Sequence, residues 1–286
     1  MARIAVTGAT GVVGGAVARL LSDRGLATRL VVRQPARAPE LPESEVRRAS
    51  SYGVREEMQA ALEGCDTLCL IPAEESADRV TQHTTAVDAA VAAGVARIVY
   101  LSIVNPAPDA TFTLARDHWA TEQHVRAAGV AHAFARMNLY LDFMPMMAAP
   151  DGVIRGPAGE GRGAFVSRAD VAAVTAAVVA GDDRDGQAHD ITGREALSLG
   201  EVAATLAAAS GKQVEYVDET LEQARASRAS YGAPDWQVEA WISTYTAIAA
   251  GELAAISDTV QRVTGRPAQT LAEFLAAHPD ALDHVH

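Results

Sequence analysis

Three glycines near the amino terminus have the spacing of a turn that binds phosphate. Gly8, Gly11 and Gly14 follow the β-branched run 3–7 and precede a segment with apolar residues at helical spacing. Glycine lets such a turn bend tightly, approach a phosphate and pack its helix against the strand. The helix amino terminus then presents free N–H groups and a positive dipole end to an anion. This context predicts a dinucleotide pyrophosphate site whose residues are Thr7, Gly8, Thr10, Gly11, Val12, Val13 and Gly14.

An arginine stands where the second strand of this unit ends. Residues 28–32 form another β-branched run, and Arg33 follows it where proteins that bind NAD usually carry an acidic residue. A guanidinium can form a forked pair with a 2′-phosphate. Arg33, assisted by Arg37, therefore predicts NADP(H) as the cofactor in preference to NAD(H). A solvent-exposed arginine without a ligand is the alternative interpretation.

Alternating strand and helix patterns continue beyond this first βαβ unit. The predicted strands are 3–7, 28–32, 45–48, 67–71, 97–102 and 132–136, and the predicted helices are 15–24, 55–62, 79–93 and 116–128. Such alternation predicts an α/β fold, a Rossmann-type doubly wound parallel sheet. Ligands of this fold bind at the carboxyl ends of the strands, so Ile71 and Pro72 are also expected to contact the cofactor.

The alternation of strands and helices stops after residue 136. A methionine-rich stretch leads into a Gly- and Pro-rich segment over 150–163, a composition that favours loops. Residues 1–136 are therefore predicted to form an NADP(H)-binding Rossmann domain, with 188–192 returning to its sheet. Residues 137–286 are predicted to form a smaller, mostly helical C-terminal substrate lobe. Its predicted helices are 167–179, 199–209, 221–229, 236–250 and 271–277, and its predicted strand is 213–217.

Composition and charge exclude several classes of function. The chain has 286 residues with 24 Lys and Arg against 36 Asp and Glu, a net charge of −12, so nucleic acid is not expected as a partner. Cys65 and Cys69 lie in an apolar run and the eight histidines are dispersed, which predicts neither a disulfide framework nor a metal site. Apolar runs of about 18 residues are absent, which predicts a cytoplasmic protein without a membrane partner.

Several short segments along the chain share the order and spacing of one known family. They are 7–14, Arg33, 82–83, 93–102, 117–122, 191–193, 210–212 and 265–275. Together they resemble the NmrA-like atypical short-chain dehydrogenases/reductases, most of all the NAD(P)H:quinone oxidoreductase branch. The resemblance implies hydride transfer from NADP(H) to a small-molecule quinone or related carbonyl compound.

The same resemblance implies a set of catalytic residues. Ordinary short-chain dehydrogenases use a serine with a Tyr-x-x-x-Lys pair. Here Ser102 matches the serine, whereas His118 and Glu122 stand in place of the tyrosine and lysine. A carboxylate near an imidazole favours the imidazolium, so His118 is expected to donate a proton while Glu122, with Ser102, binds the nicotinamide ribose. Tyr140 matches the substrate-side tyrosine of the family. A His/Glu pair on the helix surface, without a catalytic role, is the alternative.

Other functions and assemblies stay open at this point. A quinone is electrophilic enough to accept hydride without a dedicated acid when apolar walls hold it beside the nicotinamide. A redox sensor that binds NADP(H) without turnover would need only the glycine turn and Arg33, and a specialised biosynthetic ketoreductase or isomerase could use the same fold. A homodimer could form through the helix that carries Trp236 and Trp241. The expected pocket walls are Ile71, Pro72, Ile103, Val104, Tyr140, Phe143 and Met144.

Overall fold

The computed structural model describes residues 3–181 and 184–286, which form two compact units. The first unit comprises Met1–Ile103, Asp117–Met137 and Arg168–Asp190, and the second comprises Val104–Arg116, Asn138–Ser167 and Ile191–His286. In chain order, the strands are β1 (Ile4–Thr7), β2 (Thr28–Val32), β3 (Ser44–Arg48), β4 (Thr67–Leu70), β5 (Arg97–Ile103), β6 (Ala131–Met137), β7 (Val153–Gly156), β8 (Arg162–Gly163), β9 (Ala188–Ile191), β10 (Leu197–Ser198) and β11 (Glu215–Asp218). The helices are α1 (Val12–Ser22), α2 (Arg55–Leu62), α3 (Arg79–Ala92), α4 (Thr113–Ala127), α5 (Met144–Met147), α6 (Arg168–Ala180), α7 (Leu199–Ser210), α8 (Leu221–Arg228), α9 (Asp235–Ala249), α10 (Thr259–Thr264) and α11 (Leu271–Ala277).

A seven-stranded parallel sheet forms the centre of the first unit. Its strand order is β3-β2-β1-β4-β5-β6-β9. Strands β1, β2 and β5 are buried along their whole length, as expected for a parallel sheet with helices on both faces. Burial on both faces explains why most residues of these segments are apolar. The predicted Rossmann-type fold class is confirmed, and the six strands predicted before residue 137 are found within one residue of their predicted bounds.

The central strand β1 lies between β2 and β4 and pairs with both in parallel. Strand β1 is followed by the glycine turn 8–14, β2 by Arg33 and β4 by Ile71. Because the three strands are parallel neighbours, these segments lie at the same edge of the sheet. The order of the strands along the chain reverses at this point, where ligands of doubly wound sheets bind. The topology thus brings the predicted cofactor residues of the first unit to one edge.

Helix α6 belongs to the first unit, whereas the sequence analysis placed it in the lobe. It packs against α1, and the Arg24 guanidinium donates to the Ala176 carbonyl at 3.2 Å. The Arg97 guanidinium, at the start of β5, donates to the carbonyls of Val178 and Val179, each at 2.9 Å. Helical periodicity gives no information on which sheet a helix covers, so the boundary predicted at residue 137 does not describe the path of the chain.

The second unit combines helices with two small sheets. Strand β7 pairs in parallel with β11, and β8 pairs antiparallel with β10. Strands therefore occupy part of the Gly- and Pro-rich segment that was expected to be a loop. Glycine serves close packing there, because a Cβ on Gly156 would lie 2.1 Å from a ring carbon of Tyr245. Among the residues that the structure describes, no helix is both long and apolar enough to cross a membrane.

Candidate cofactor site and active site

The glycine turn after β1 is a close-packed structure that excludes side chains at fixed points. A Cβ on Gly14 would lie 2.3 Å from the carbonyl oxygen of Gly8. Gly8 itself has φ +61°, and a Cβ there would lie 3.2 Å from the side chain of Ile71. The N–H of Gly11 donates to the Gly8 carbonyl at 2.9 Å and closes the turn. Glycine at position 14 is therefore a steric requirement of this turn, and the positive φ at position 8 favours glycine there.

Helix α1 presents an uncapped amino terminus at the end of this turn. It begins at Val12 after Gly11, and no side chain caps it. Helix geometry leaves the first-turn N–H groups without acceptors inside the helix. Thr10, Gly11 and Val12 are exposed, whereas the side chain of Val13 is buried, so Val13 offers a ligand only its backbone. The free N–H groups of the first turn of α1, together with the helix dipole, fit the pyrophosphate of a dinucleotide.

The side chain of Thr7 links two strands and does not reach into the site. Its Oγ1 accepts the N–H of Ile71 at 2.9 Å and lies 3.3 Å from the carbonyl of Cys69. The Tyr52 hydroxyl donates to the carbonyl of Ile71 at 2.8 Å. Thr7 thus fixes the segment after β4, which begins with Ile71 and the half-buried Pro72. The predicted cofactor contact of Thr7 is restricted to its backbone, because its hydroxyl is buried and already bonded.

Arg33 projects beyond β2 and forms an ion pair with Glu74. Its Nη2 lies 2.5 Å from Oε1 and its Nη1 lies 3.5 Å from Oε2. The side chains are 64% and 78% exposed, so a ligand can reach both. The hydrogen bond and negative charge of Glu74 raise the pKa of Arg33, which stays charged. Arg37 is exposed on the 3₁₀ turn Pro35–Arg37, so the predicted 2′-phosphate residues are accessible.

Glu122 is a buried carboxylate bound by Ser102 and by two arginines that reach solvent, which contradicts its expected role with His118. Parallel pairing sets Ser102 beside Arg136, and both side chains bind the Glu122 carboxylate. Ser102 Oγ donates at 2.7 Å, Arg136 donates at 2.9 and 2.7 Å, and Arg126 donates at 2.9 Å. Glu122 and Ser102 are both 0% exposed. Their polar atoms satisfy each other inside the first unit, so neither side chain is free to bind a ribose.

His118 lies in a separate buried polar network formed by Arg79, His83, Tyr100, His118 and Thr121. The Nδ1 atom of His118 lies 2.8 Å from the Tyr100 hydroxyl, and its Nε2 lies 3.3 Å from Nη2 of Arg79. The Nδ1 atom of His83 lies 2.9 Å from Thr121 Oγ1. His118 is only 2% exposed. Helices α3 and α4 and strand β5 supply these side chains.

The hydrogen-bond donors Arg79 and Ala73 show which ring nitrogen of each histidine carries the proton. An arginine can only donate, so Nε2 of His118 accepts from Arg79, and Nδ1–H donates to the Tyr100 oxygen. The N–H of Ala73 donates to Nε2 of His83 at 2.9 Å, so Nδ1–H of His83 donates to Thr121. The Thr121 hydroxyl donates in turn to the carbonyl of Asp117 at 2.8 Å. Each ring thus uses one nitrogen as donor and one as acceptor, which is the neutral form.

Electrostatics agree with this assignment and correct the expectation of an imidazolium. Burial, and then the positive charge of Arg79, lower the pKa of His118 well below its usual value. The same two causes lower the pKa of His83 to about 3. The predicted partner Glu122 is bound to Ser102 and two arginines instead. His118 is therefore a neutral, hydrogen-bonded residue at neutral pH, and the proton-donor role expected for it has no support in this geometry.

This network predicts an acid-sensitive fold. Both histidines protonate below about pH 6.5 in the unfolded chain but stay neutral in the folded protein, so unfolding takes up protons as the pH falls. The free energy of unfolding should therefore fall by about 1.4 kcal/mol per pH unit for each histidine below that pH. Urea unfolding between about pH 7 and about pH 5 measures the slope. A His83→Gln variant should lower the slope by about 1.4 kcal/mol per pH unit, the share of one histidine, and an unchanged slope would contradict neutral His83.

The network also fixes the backbone of the segment that precedes Glu74. The Ala73 N–H donates to His83, and the Ala73 carbonyl accepts Nε of Arg79 at 3.0 Å. Sequence reasoning singled out neither Glu74 nor Arg79, and it included His83 only as part of the family resemblance. The spacing of Arg79 and His83, one turn apart at the start of α3, was an available signal. No sequence signal links Glu74 to Arg33.

Tyr140 belongs to the second unit. It is half-buried, precedes the 3₁₀ turn Leu141–Phe143 and forms an isolated parallel bridge with Val166. Phe143, another expected pocket wall, is 53% exposed, whereas Met144 is buried. The substrate contacts expected of these residues stay predictions.

Comparison with known proteins identifies the family. Residues 1–246 match the model of the NmrA-like family. The chain belongs to the NmrA-like family. One relative that aligns over nearly its full length is the NAD(P)H azoreductase of Xenophilus azovorans, 35% identical over 283 residues, which cover 97% of this chain and 98% of the relative. Quinone oxidoreductase 2 of Escherichia coli K12 is 34% identical over 280 residues, which cover 96% and 97% of the two chains.

A solved structure is also similar to this chain in fold and sequence. The NADPH-dependent quinone oxidoreductase of Escherichia coli, crystallised in complex with NADPH, matches with a TM-score of 0.88 at 32% identity. The match covers 96% of this chain and 99% of that chain. The family resemblance predicted from the short motifs is therefore confirmed.

Proposed function

We propose that this protein is an NADPH-dependent reductase that transfers hydride to a quinone or a related carbonyl compound. The observation that carries the proposal is the accessible anion site of the first unit, in which the uncapped start of α1 follows a turn that requires glycine at position 14 and favours it at position 8. Arg33 lies at the end of the neighbouring strand. The NmrA-like relatives named as an azoreductase and a quinone oxidoreductase support the choice of reaction.

Some residues of the first unit bind the cofactor, and others stabilise the fold around it. Backbone N–H groups at the start of α1 hold the pyrophosphate, and Arg33 pairs with the 2′-phosphate. Bound NADPH supplies the hydride. Ser102 and Glu122 stabilise the sheet and α4 from within the core, rather than contacting the ribose. With His118 neutral and bonded on both nitrogens, the chain needs an acceptor that is electrophilic without protonation, which favours a quinone over a simple ketone.

Replacing Arg33 tests the cofactor assignment. Arg33→Ala should weaken NADPH binding by about 1 to 3 kcal/mol, because it removes a charged hydrogen-bond partner of the 2′-phosphate. NADH affinity should change little. Fluorescence titration with both nucleotides gives the two dissociation constants, and Arg37→Ala measures the smaller contribution expected from the neighbouring arginine. Equal losses for NADPH and NADH would contradict the 2′-phosphate assignment.

The reductase proposal is tested by titrating the protein with NADPH and then following loss of nicotinamide absorbance after a small quinone is added. Oxidation above a control without enzyme supports the reductase. Selective binding without oxidation over a panel of quinones, carbonyl compounds and azo dyes would support the redox-sensor alternative. Product analysis with each active compound separates quinone reduction from a biosynthetic ketoreductase or isomerase. A homodimer stays a prediction that analytical ultracentrifugation can check.

A further inference from the structure

An acidic side chain shares the proposed 2′-phosphate site with Arg33. Glu74 comes four residues after the end of β4, whereas Arg33 directly follows β2, so two strands on either side of β1 bring the opposite charges together. Both Glu74 oxygens face the guanidinium, at 2.5 and 3.5 Å. This carboxylate occupies the forked face that a phosphate would otherwise bind.

The position of Glu74 is defined by the backbone that precedes it. Ile71 is held by its N–H to Thr7 and by its carbonyl to Tyr52. Ala73 is held by its N–H to His83 and by its carbonyl to Arg79. Four buried or partly buried contacts thus fix the chain up to the residue before Glu74, although the Glu74 side chain itself is exposed. The hydrogen-bonded segment 71–73 therefore places the Glu74 carboxylate beside Arg33.

Charge determines how this carboxylate affects the two cofactors. A 2′-phosphate on Arg33 would lie within a few ångströms of a carboxylate of the same sign, which is unfavourable. NADPH must therefore displace the Glu74 side chain from Arg33, or bind despite repulsion between its 2′-phosphate and the Glu74 carboxylate. The 2′-hydroxyl of NADH carries no charge and can donate to a carboxylate, which is the interaction that acidic residues make in Rossmann proteins specific for NAD.

We propose that Glu74 is a specificity-determining residue that reduces the preference of this site for NADPH over NADH. The inference rests on the proposed binding of NADP(H) at Arg33. Exposed ion pairs contribute little to stability, so stability does not explain the contact of Glu74 with Arg33. Its presence beside the phosphate-binding arginine makes the site able to accept both nucleotides.

The test compares Glu74→Gln with Glu75→Gln in the full-length protein. Both variants remove one negative charge, but Glu75 is exposed, and within the described part of the chain it is not among the ion-pair partners of Arg33. Glu74→Gln should tighten NADPH binding by about 5-fold and weaken NADH binding by about 2-fold, which raises the NADPH preference about 10-fold at low salt. Glu75→Gln should leave the preference unchanged. The gain in NADPH affinity should diminish at about 1 M salt, where screening acts within about 3 Å.

The possible outcomes separate this inference from the proposed function. If the wild-type protein binds NADPH but Glu74→Gln leaves the ratio of the two dissociation constants unchanged, the inference is wrong. It is equally wrong if Glu75→Gln changes the ratio as much as Glu74→Gln, because the effect would then be one of net charge. If the wild-type protein binds neither nucleotide, the proposed cofactor site itself is wrong.

Discussion

Gly14→Ala is expected to lower the affinity for NADPH by about 100-fold or more. The new Cβ would lie 2.3 Å from the Gly8 carbonyl oxygen and 2.7 Å from its carbon, and backbone atoms cannot rotate away as a side chain can. The turn and the start of α1 must therefore separate, and displacement of binding groups by about 1 Å can cost about 100-fold. Isothermal titration with NADPH measures the loss.

Two other glycines provide graded controls for this experiment. A Cβ on Gly15, the next residue of α1, would lie 3.0 Å from the Ala9 carbonyl, so Gly15→Ala should have a smaller effect. A Cβ on Gly200, in α7 of the second unit, would come no closer than 3.8 Å to a neighbouring atom. Gly200→Ala should leave binding intact. Wild-type affinity in Gly14→Ala would show that NADPH does not depend on this turn.

Glu122→Ala is expected to lower the free energy of unfolding by about 1 to 3 kcal/mol, the cost of leaving buried hydrogen-bonding groups without a partner, because the two arginines that pair with Glu122 still reach solvent. The carboxylate accepts hydrogen bonds from Ser102, Arg126 and Arg136. Its removal leaves Ser102 and part of two guanidinium groups without their acceptor. Chemical denaturation of the variant gives the change in free energy directly.

A matched variant distinguishes a structural from a catalytic Glu122. Glu56 lies exposed in the first turn of α2, so Glu56→Ala should cost at most about 1 kcal/mol through loss of its interaction with the helix dipole. If Glu122→Ala instead keeps the stability of the wild-type protein and loses turnover, Glu122 acts on the reaction and the structural interpretation is wrong. Loss of stability with turnover retained at low temperature supports it.

Local patterns were sufficient for the parts of this fold that depend on local geometry. Strands buried on both faces have to be apolar, so β1 and β2 could be located from composition alone. The glycine turn was predictable because position 14 has no room for a side chain, so the sequence must carry glycine there. The place of Arg33 was predictable because it depends only on where β2 ends.

Long-range partners could not be predicted in this way. Glu74 meets Arg33 across 41 positions, and Arg136 meets Glu122 across 14, so only the three-dimensional packing decides these pairs. The helical spacing of His118 and Glu122 suggested that they interact. Instead, His118 bonds to side chains of α3 and β5, and Glu122 bonds to side chains of β5 and β6. Burial and the positive charge of Arg79 lower the pKa of His118, so the expected imidazolium does not form at neutral pH.

The path of the chain between the two units has a consequence for folding during synthesis. The first unit needs β9 and α6, which come after the segments 104–116 and 138–167 of the second unit. Its sheet cannot be completed until residue 191 has left the ribosome, although β1 and the glycine turn emerge first. Ribosome-bound chains from which residues up to about 137 have emerged should therefore expose the edge of β6 and depend on chaperones, because unpaired strand edges and apolar surface promote aggregation.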